Sequence, residues 1–172
     1  MKKAIALFLI LVLTVSTALA NDGYDYLWSE SEKQASEIDG KFHSFEAAGL
    51  KIWIPAVLEE QNLSEDEQQA GYIGIFATRS NDVIKISCID ENVNSLEEYS
   101  AKLSDRPEIT GLGPMTTNGI PALNYEVRDM DNTVVSLYVG DGRILELDFS
   151  PVADNMGFIS AAMLIIASIQ PI

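Results

Sequence analysis

The chain is poor in the residues from which most catalytic and metal sites are built. Among its 172 residues there is one cysteine and one histidine. A lone Cys88 excludes an intrachain disulfide. Cys88 and His43 together are too small a ligand set for zinc, which takes several Cys or His side chains. A serine nucleophile needs a base, and the sequence holds no GxSxG and only one histidine to serve a triad. Basic residues are scarce as well: 11 Lys and Arg stand against 26 Asp and Glu, a net charge of −15. A surface of that sign repels nucleic acid and anionic lipid head groups, so neither is an expected partner.

Apolar runs long enough to span a bilayer are also missing. Lys2 and Lys3 precede an apolar stretch at residues 5–15, and the small residues Ala18 and Ala20 follow. A basic start, a short apolar run and a small-residue exit describe a secretory signal peptide over residues 1–20, cut after Ala20. A stable anchor needs about 20 apolar residues, and this run is shorter. Losing Lys2 and Lys3 leaves 9 of the 11 basic residues against the 26 acidic ones, which takes the net charge from −15 to −17. The expected product is therefore secreted or extracytoplasmic, acidic and without a membrane anchor. Cys88 then works outside the cytoplasm with no partner, which argues for a small buried hydrophobe rather than a reactive thiol.

Residues 21–40 are polar and acidic, with Tyr24, Tyr26, Leu27 and Trp28 near the front, and read as an arm or linker. Residues 41–172 read as one domain. Strands are expected at 42–46 and 50–54, joined by a tight turn and stopped by Pro55. Residues 55–69 suit a short helix and a loop, and strands follow at 71–78 and 83–89. Ser95-Leu96-Glu97-Glu98 has the form of a capping box that opens a helix closed by Asp105-Arg106-Pro107. Further strands are expected at 114–118, 120–128, 133–139 and 143–149. Gly140-Asp141-Gly142 supplies the positive φ of a hairpin before the last of these. A final helix from about Asn155 to Ile169, with Asp154 as N-cap, is apolar almost all round, so it must be covered on more than one side. The expected fold class is α+β: a largely antiparallel sheet flanked by helices on both faces.

In order of elements, residues 41–172 resemble the PsbP-like superfamily of α/β/α sandwiches, and its small exported bacterial members in particular. The phrases that carry the likeness are FHSFEAAGLKIWIP, GYIGIFAT, the capped SLEEYSAKL, TTNGIPALNYEVRD, VSLYVGDGRILELDFSP and a closing apolar helix that ends in ASIQ. The resemblance implies an accessory or binding protein with no shared catalytic site, so it places no active-site residue on this chain.

The residues themselves nominate little chemistry. In the expected first strand, burying the phenylalanines leaves His43 outside. Asp129-Met130-Asp131-Asn132 begins like a calcium loop but lacks the glycine and the distal glutamate, and a hairpin turn accounts for it. GLGP at 111–114 is not followed by the Lys-Ser/Thr of a phosphate loop. Trp53 shares a strand face with Lys51, opposite Leu50, Ile52 and Ile54. With one sheet face open, Trp53 and Tyr72 line a ligand or partner surface; with both faces covered, Trp53 is core. No catalytic, metal or cofactor residue is expected. The functional expectation is a non-enzymatic binding or accessory module for another extracytoplasmic protein, monomeric or homodimeric. The alternatives are a carrier of a small apolar ligand between sheet and last helix, and a hydrolase built on carboxylates.

Overall fold

A computed structural model describes residues 25–152 and 155–172. The expected leader and the expected cap Asp154 lie outside the described residues. In chain order the elements are β1 (Asp25–Tyr26), α1 (Trp28–Ala35), β2 (Gly40–Phe45), β3 (Leu50–Pro55), β4 (Glu59–Glu60), α2 (Glu65–Gln69), β5 (Tyr72–Ala77) and β6 (Val83–Asp90). They continue as α3 (Leu96–Ser104), β7 (Ile109–Thr117), β8 (Ile120–Val127), β9 (Thr133–Gly140), β10 (Arg143–Ser150), α4 (Met156–Ala167) and β11 (Gln170–Pro171). The fold is α+β, with two sheets and four helices among the described residues.

Where one sheet was expected there are two. The larger has the order β1-β7-β8-β9-β10-β6-β5-β4 and is antiparallel except where β1 joins β7 in parallel. The smaller has the order β11-β3-β2. Its hairpin closes through a short 3₁₀ turn at Glu46–Ala48 that ends on Gly49 at φ 65°, a left-handed conformation that glycine adopts without strain. The last strand comes from the chain just beyond α4, so the C-terminus completes a sheet begun near residue 40.

Strand alternation sorts the side chains of the larger sheet onto two faces. Ile84 and Ile86 of β6, Val135 and Leu137 of β9, and Leu145 and Leu147 of β10 join the main core. Phe45, Leu50, Ile52 and Ile54 of the smaller sheet and Phe158, Ile165 and Ile169 close that core from the other side. On the opposite face Tyr99 and Leu103 of α3 pack with Leu123, Tyr125, Val134 and Ile144.

The apolar helix α4 is covered on several sides, as its composition demands. Phe158 and Ile165 enter the main core, while Leu164 meets Trp53 and Ala35 of α1. The N-cap is Asn155, one residue later than expected, and its side chain accepts from the Phe158 amide at 3.1 Å. At the other end Asn118, in the β7–β8 turn, donates to the carbonyls of Ala167 and Ile169 at 2.8 and 2.9 Å. Its side-chain oxygen accepts from the Trp28 amide at 2.9 Å. One turn residue thus ties α1, α4 and the sheet together. The stretch read as an arm contributes a strand and a helix, with Tyr26 and Ala35 buried.

Two local readings need correction. The Ser95 hydroxyl accepts from the Glu98 amide at 3.3 Å, but the Glu98 carboxylate turns to Asn94, accepting from its backbone and side-chain nitrogens at 2.8 and 3.0 Å. The reciprocal box is at Ser64 and Glu67, where α2 begins. Strand β7 starts at Ile109, not Pro114. A bulge between Thr110 and Gly113, with Gly111 at φ 64°, absorbs the glycines that disguised its first half as a loop.

Candidate functional site

The residues singled out in the sequence do not assemble into one site. Trp53 is buried, 6% exposed. Its indole lies 6.1 Å from that of Trp28, and its amide donates to Ser168 Oγ at 2.8 Å. Gly40 leaves the space it fills: a Cβ there would stand 2.3 Å from the Trp53 ring. Tyr72 pairs in register with Ser87 on the other sheet and lines a different groove.

His43 is on the opposite phase from the one expected. Alternation puts His43 with Phe45, not Phe42, and both face Phe76, with ring centroids at 4.9 and 6.4 Å. Phe42 is 40% exposed and edges against Trp28. Burial, then Lys41, lowers the His43 pKa below 6.5, against a smaller opposing pull from Glu60. Cys88 is half-buried and packs against the main core, and burial pushes its thiol pKa up, which disfavours the thiolate.

Among the cavities of the described residues, two lie on opposite faces of the larger sheet. The first runs between α4 and strands β7 to β9, with a volume of about 460 Å³, within the range of small-ligand pockets. Met115, Val135, Phe149, Ile159, Met163 and Ile166 form its apolar walls. Ile159 and Met163 are four residues apart on α4 and half-buried, so they share a flank of the helix that is partly open. Met130 stands at the groove and is 58% exposed. Unbranched thioether side chains reshape around whatever they contact.

The second groove lies on the other face, beside α3, and holds about 180 Å³. Three hydroxyls converge on one carboxylate oxygen there. Tyr99, Tyr125 and Ser136 donate to Glu146 Oε1 at 2.7, 2.5 and 3.3 Å. The donors come from α3, β8 and β9, so the array exists only when all three are packed. Burial, followed by the neighbouring Glu146 charge, raises the pKa of both tyrosines, and each remains a protonated donor. Two residues along β10, on the same face, Asp148 accepts from Asn132 Nδ2 at 3.0 Å. Burial nevertheless raises the Asp148 pKa above 3.8.

In the sequence Glu146 and Asp148 merely alternate with Leu145, Leu147 and Phe149 along one strand. Tyr99 and Tyr125 lie 47 and 21 residues from Glu146, and no spacing rule joins them. Among the described residues no cluster of three or more His, Cys, Asp or Glu side chains is arranged for a metal ion. Nor is any described helix long and apolar enough to cross a membrane.

No family model and no curated relative matches the chain. The fold does have a solved counterpart. The solution structure of cyanobacterial PsbP (CyanoP) from Synechocystis sp. PCC 6803 superimposes with a TM-score of 0.57 at 10% identity, covering 78% of this chain and 94% of that one. The fold is PsbP-like, as the order of elements implied. An identity so low carries the fold and nothing of the function.

Proposed function

From a PsbP-like fold with an open helix–sheet groove, we propose that the protein is an extracytoplasmic, non-enzymatic binding or accessory module. Its groove seats an apolar group of a partner protein. The observation that carries this reading is the half-open flank of α4: Ile159 and Met163 are only half-buried and line a cavity of about 460 Å³. The architecture fits an α/β/α sandwich, with α4 packed on one side of the larger sheet and α3 on the other. The N-terminal residues fit a leader cleaved after Ala20, which delivers the module outside the cytoplasm as monomer or homodimer. A strongly acidic body suits a basic or neutral protein partner and disfavours nucleic acid and anionic membrane.

A second reading draws on the same cavity, as the seat of a small apolar ligand or lipid. For the hydrolase reading, Glu146 and Asp148 are two carboxylates that line one groove. Alternate residues of one strand stand side by side, whereas glycosidase carboxylates flank the bond from opposite sides. Glu146 is further occupied by three hydroxyl donors.

A photo-crosslinking amino acid at Met130, at the mouth of the groove, tests the proposal. The protein-partner reading expects one defined extracytoplasmic adduct that Met163→Asp abolishes. Native mass spectrometry of gently purified protein completes the test. A co-purified lipid without a protein adduct moves the function to the carrier reading. Neither adduct nor lipid removes the groove from the account.

A further inference from the structure

Among the described residues the two sheets end in four edge strands, and three of them are blunt. β1, β4 and β11 are each two residues long; β4 is Glu59-Glu60 and β11 ends on Pro171. Short length, charge and proline are the usual guards against pairing with a second chain. β2 has none of them beyond Lys41. It runs six residues, Gly40–Phe45, without proline, and pairs in unbroken register with β3 alone. Trp53 shows which backbone groups it leaves open. The Trp53 amide donates to Ser168 Oγ at 2.8 Å, and the Trp53 carbonyl lies 3.5 Å from the same hydroxyl. Both groups therefore point away from β2, so Phe42, opposite Trp53, sits in a pair without hydrogen bonds. Alternation extends this to Gly40, opposite Pro55 with its missing N–H, and to Ser44, opposite Lys51. The N–H and C=O of Gly40, Phe42 and Ser44 thus point outward. All three residues are exposed, and no hydrogen bond between described residues reaches those groups.

The side chains around this edge suit a second copy of the chain. On one face Phe42 is 40% exposed, its ring 5.5 Å from that of Trp28 and its centroid 5.2 Å from Lys51 Nζ. On the other face Lys41 and His43 border a cavity of about 440 Å³ whose lining includes Glu59 and Glu60. His43 Nδ1 lies 3.8 Å from the Glu60 carboxylate. β2 itself holds no Asp or Glu in a chain with 26 of them, so two acidic bodies can meet here without like charges in contact. Laid antiparallel on itself about Phe42, the strand sets Gly40 against Ser44 and Lys41 against His43 of the other copy. Every outward N–H then meets an outward carbonyl, and Phe42 covers Phe42. Each Lys41 comes beside the Glu60 that neighbours the opposing His43.

We propose that the protein self-associates through this edge. β2 pairs antiparallel with β2 of a second copy about a two-fold axis, joining the two smaller sheets into one of order β11-β3-β2-β2-β3-β11. Such an isologous contact closes on itself, and the outer strands it leaves are the blunt β11 pair. One pair of short strands is a small interface, so the dimer is weak and forms at micromolar to millimolar concentration. The proposal uses neither the apolar groove nor its occupant.

Sedimentation velocity of the purified protein over a concentration series, paired with amide hydrogen exchange, tests it. A monomer–dimer equilibrium is expected. Exchange at Phe42 and Ser44 slows as the dimer fills, while Lys41 and His43, bonded to β3, stay protected throughout. Ser44→Pro removes an outward N–H that β3 does not use, so it keeps the fold and abolishes the dimer. Charge exchange tests the register even if that variant fails to fold. Lys41→Glu alone sets a glutamate against Glu60 of the other copy, and Glu60→Lys alone sets a lysine against its Lys41. Each weakens dimerisation about tenfold through its two symmetric pairs. An equimolar mixture of the two variants restores it, which no contact within one chain can do. Met163→Asp leaves dimerisation unchanged, so the reading of the apolar groove fails separately. The proposal is overturned by a monomer at every concentration, by Phe42 exchange that ignores concentration, by a dimer that survives Ser44→Pro, or by a mixture that restores nothing.

Discussion

The two faces of β10 are built on different principles. Leu145, Leu147 and Phe149 point into the main core, and Phe149 reaches the groove under α4. Glu146 and Asp148, interleaved with them, point into the polar groove beside α3. The first face is held by the volume it fills, because dispersion and hydrophobic burial are non-directional. The second is held by which atom meets which, because a hydroxyl without an acceptor is costly and a correct pair gains only modestly. Replacing a side chain by an apolar one of similar size should therefore be mild on one face and harmful on the other.

The largest effect is expected on the apolar face. Leu147 is fully buried, and Leu147→Ala should cost about 3 kcal/mol in urea unfolding. Leu147→Met should cost less than about 1.5 kcal/mol, since volume is nearly kept. On the polar face the same logic must fail. Glu146→Leu removes the acceptor of three hydroxyls and should cost about 2 kcal/mol despite its similar size. A neutral Glu146→Leu would break the comparison, because the array would then be ornament on a hydrophobic fold.

The smallest effect has the opposite sign. The folded-state pKa of Asp148 is raised, so the native protein holds its proton more tightly than the unfolded chain. The stabilisation from that proton is fully present below the unfolded value of about 3.9 and is lost as pH rises through the folded one. At neutral pH the ionised Asp148 is a burden. Asp148→Asn should raise the melting temperature at pH 7, and the gain should vanish toward pH 4.

Much of this contrast was legible before the structure. The alternation of β10, the hairpin at Gly140 to Gly142 and the apolar α4 all follow from local periodicity and turn chemistry. What alternation cannot supply is the partner of each face. Tyr99 is an ordinary stripe residue of a capped helix until α3 lands over Glu146. Tyr72 lines the polar groove and Trp53 is buried; α1, which covers Trp53, lies in a stretch whose acidic composition reads as a linker. His43 shows the hazard of assigning phase from hydrophobicity alone. Phe42 and Phe45 are an odd number of residues apart, so one strand cannot bury both, and the histidine went inward with Phe45.

The central claim is that β10 is held by the volume it fills on one face and by specific atom pairs on the other. Urea unfolding of Leu147→Met and Glu146→Leu, measured side by side, tests it. The account predicts a cost below about 1.5 kcal/mol for the first and about 2 kcal/mol for the second. A Glu146→Leu that costs less than Leu147→Met would contradict it.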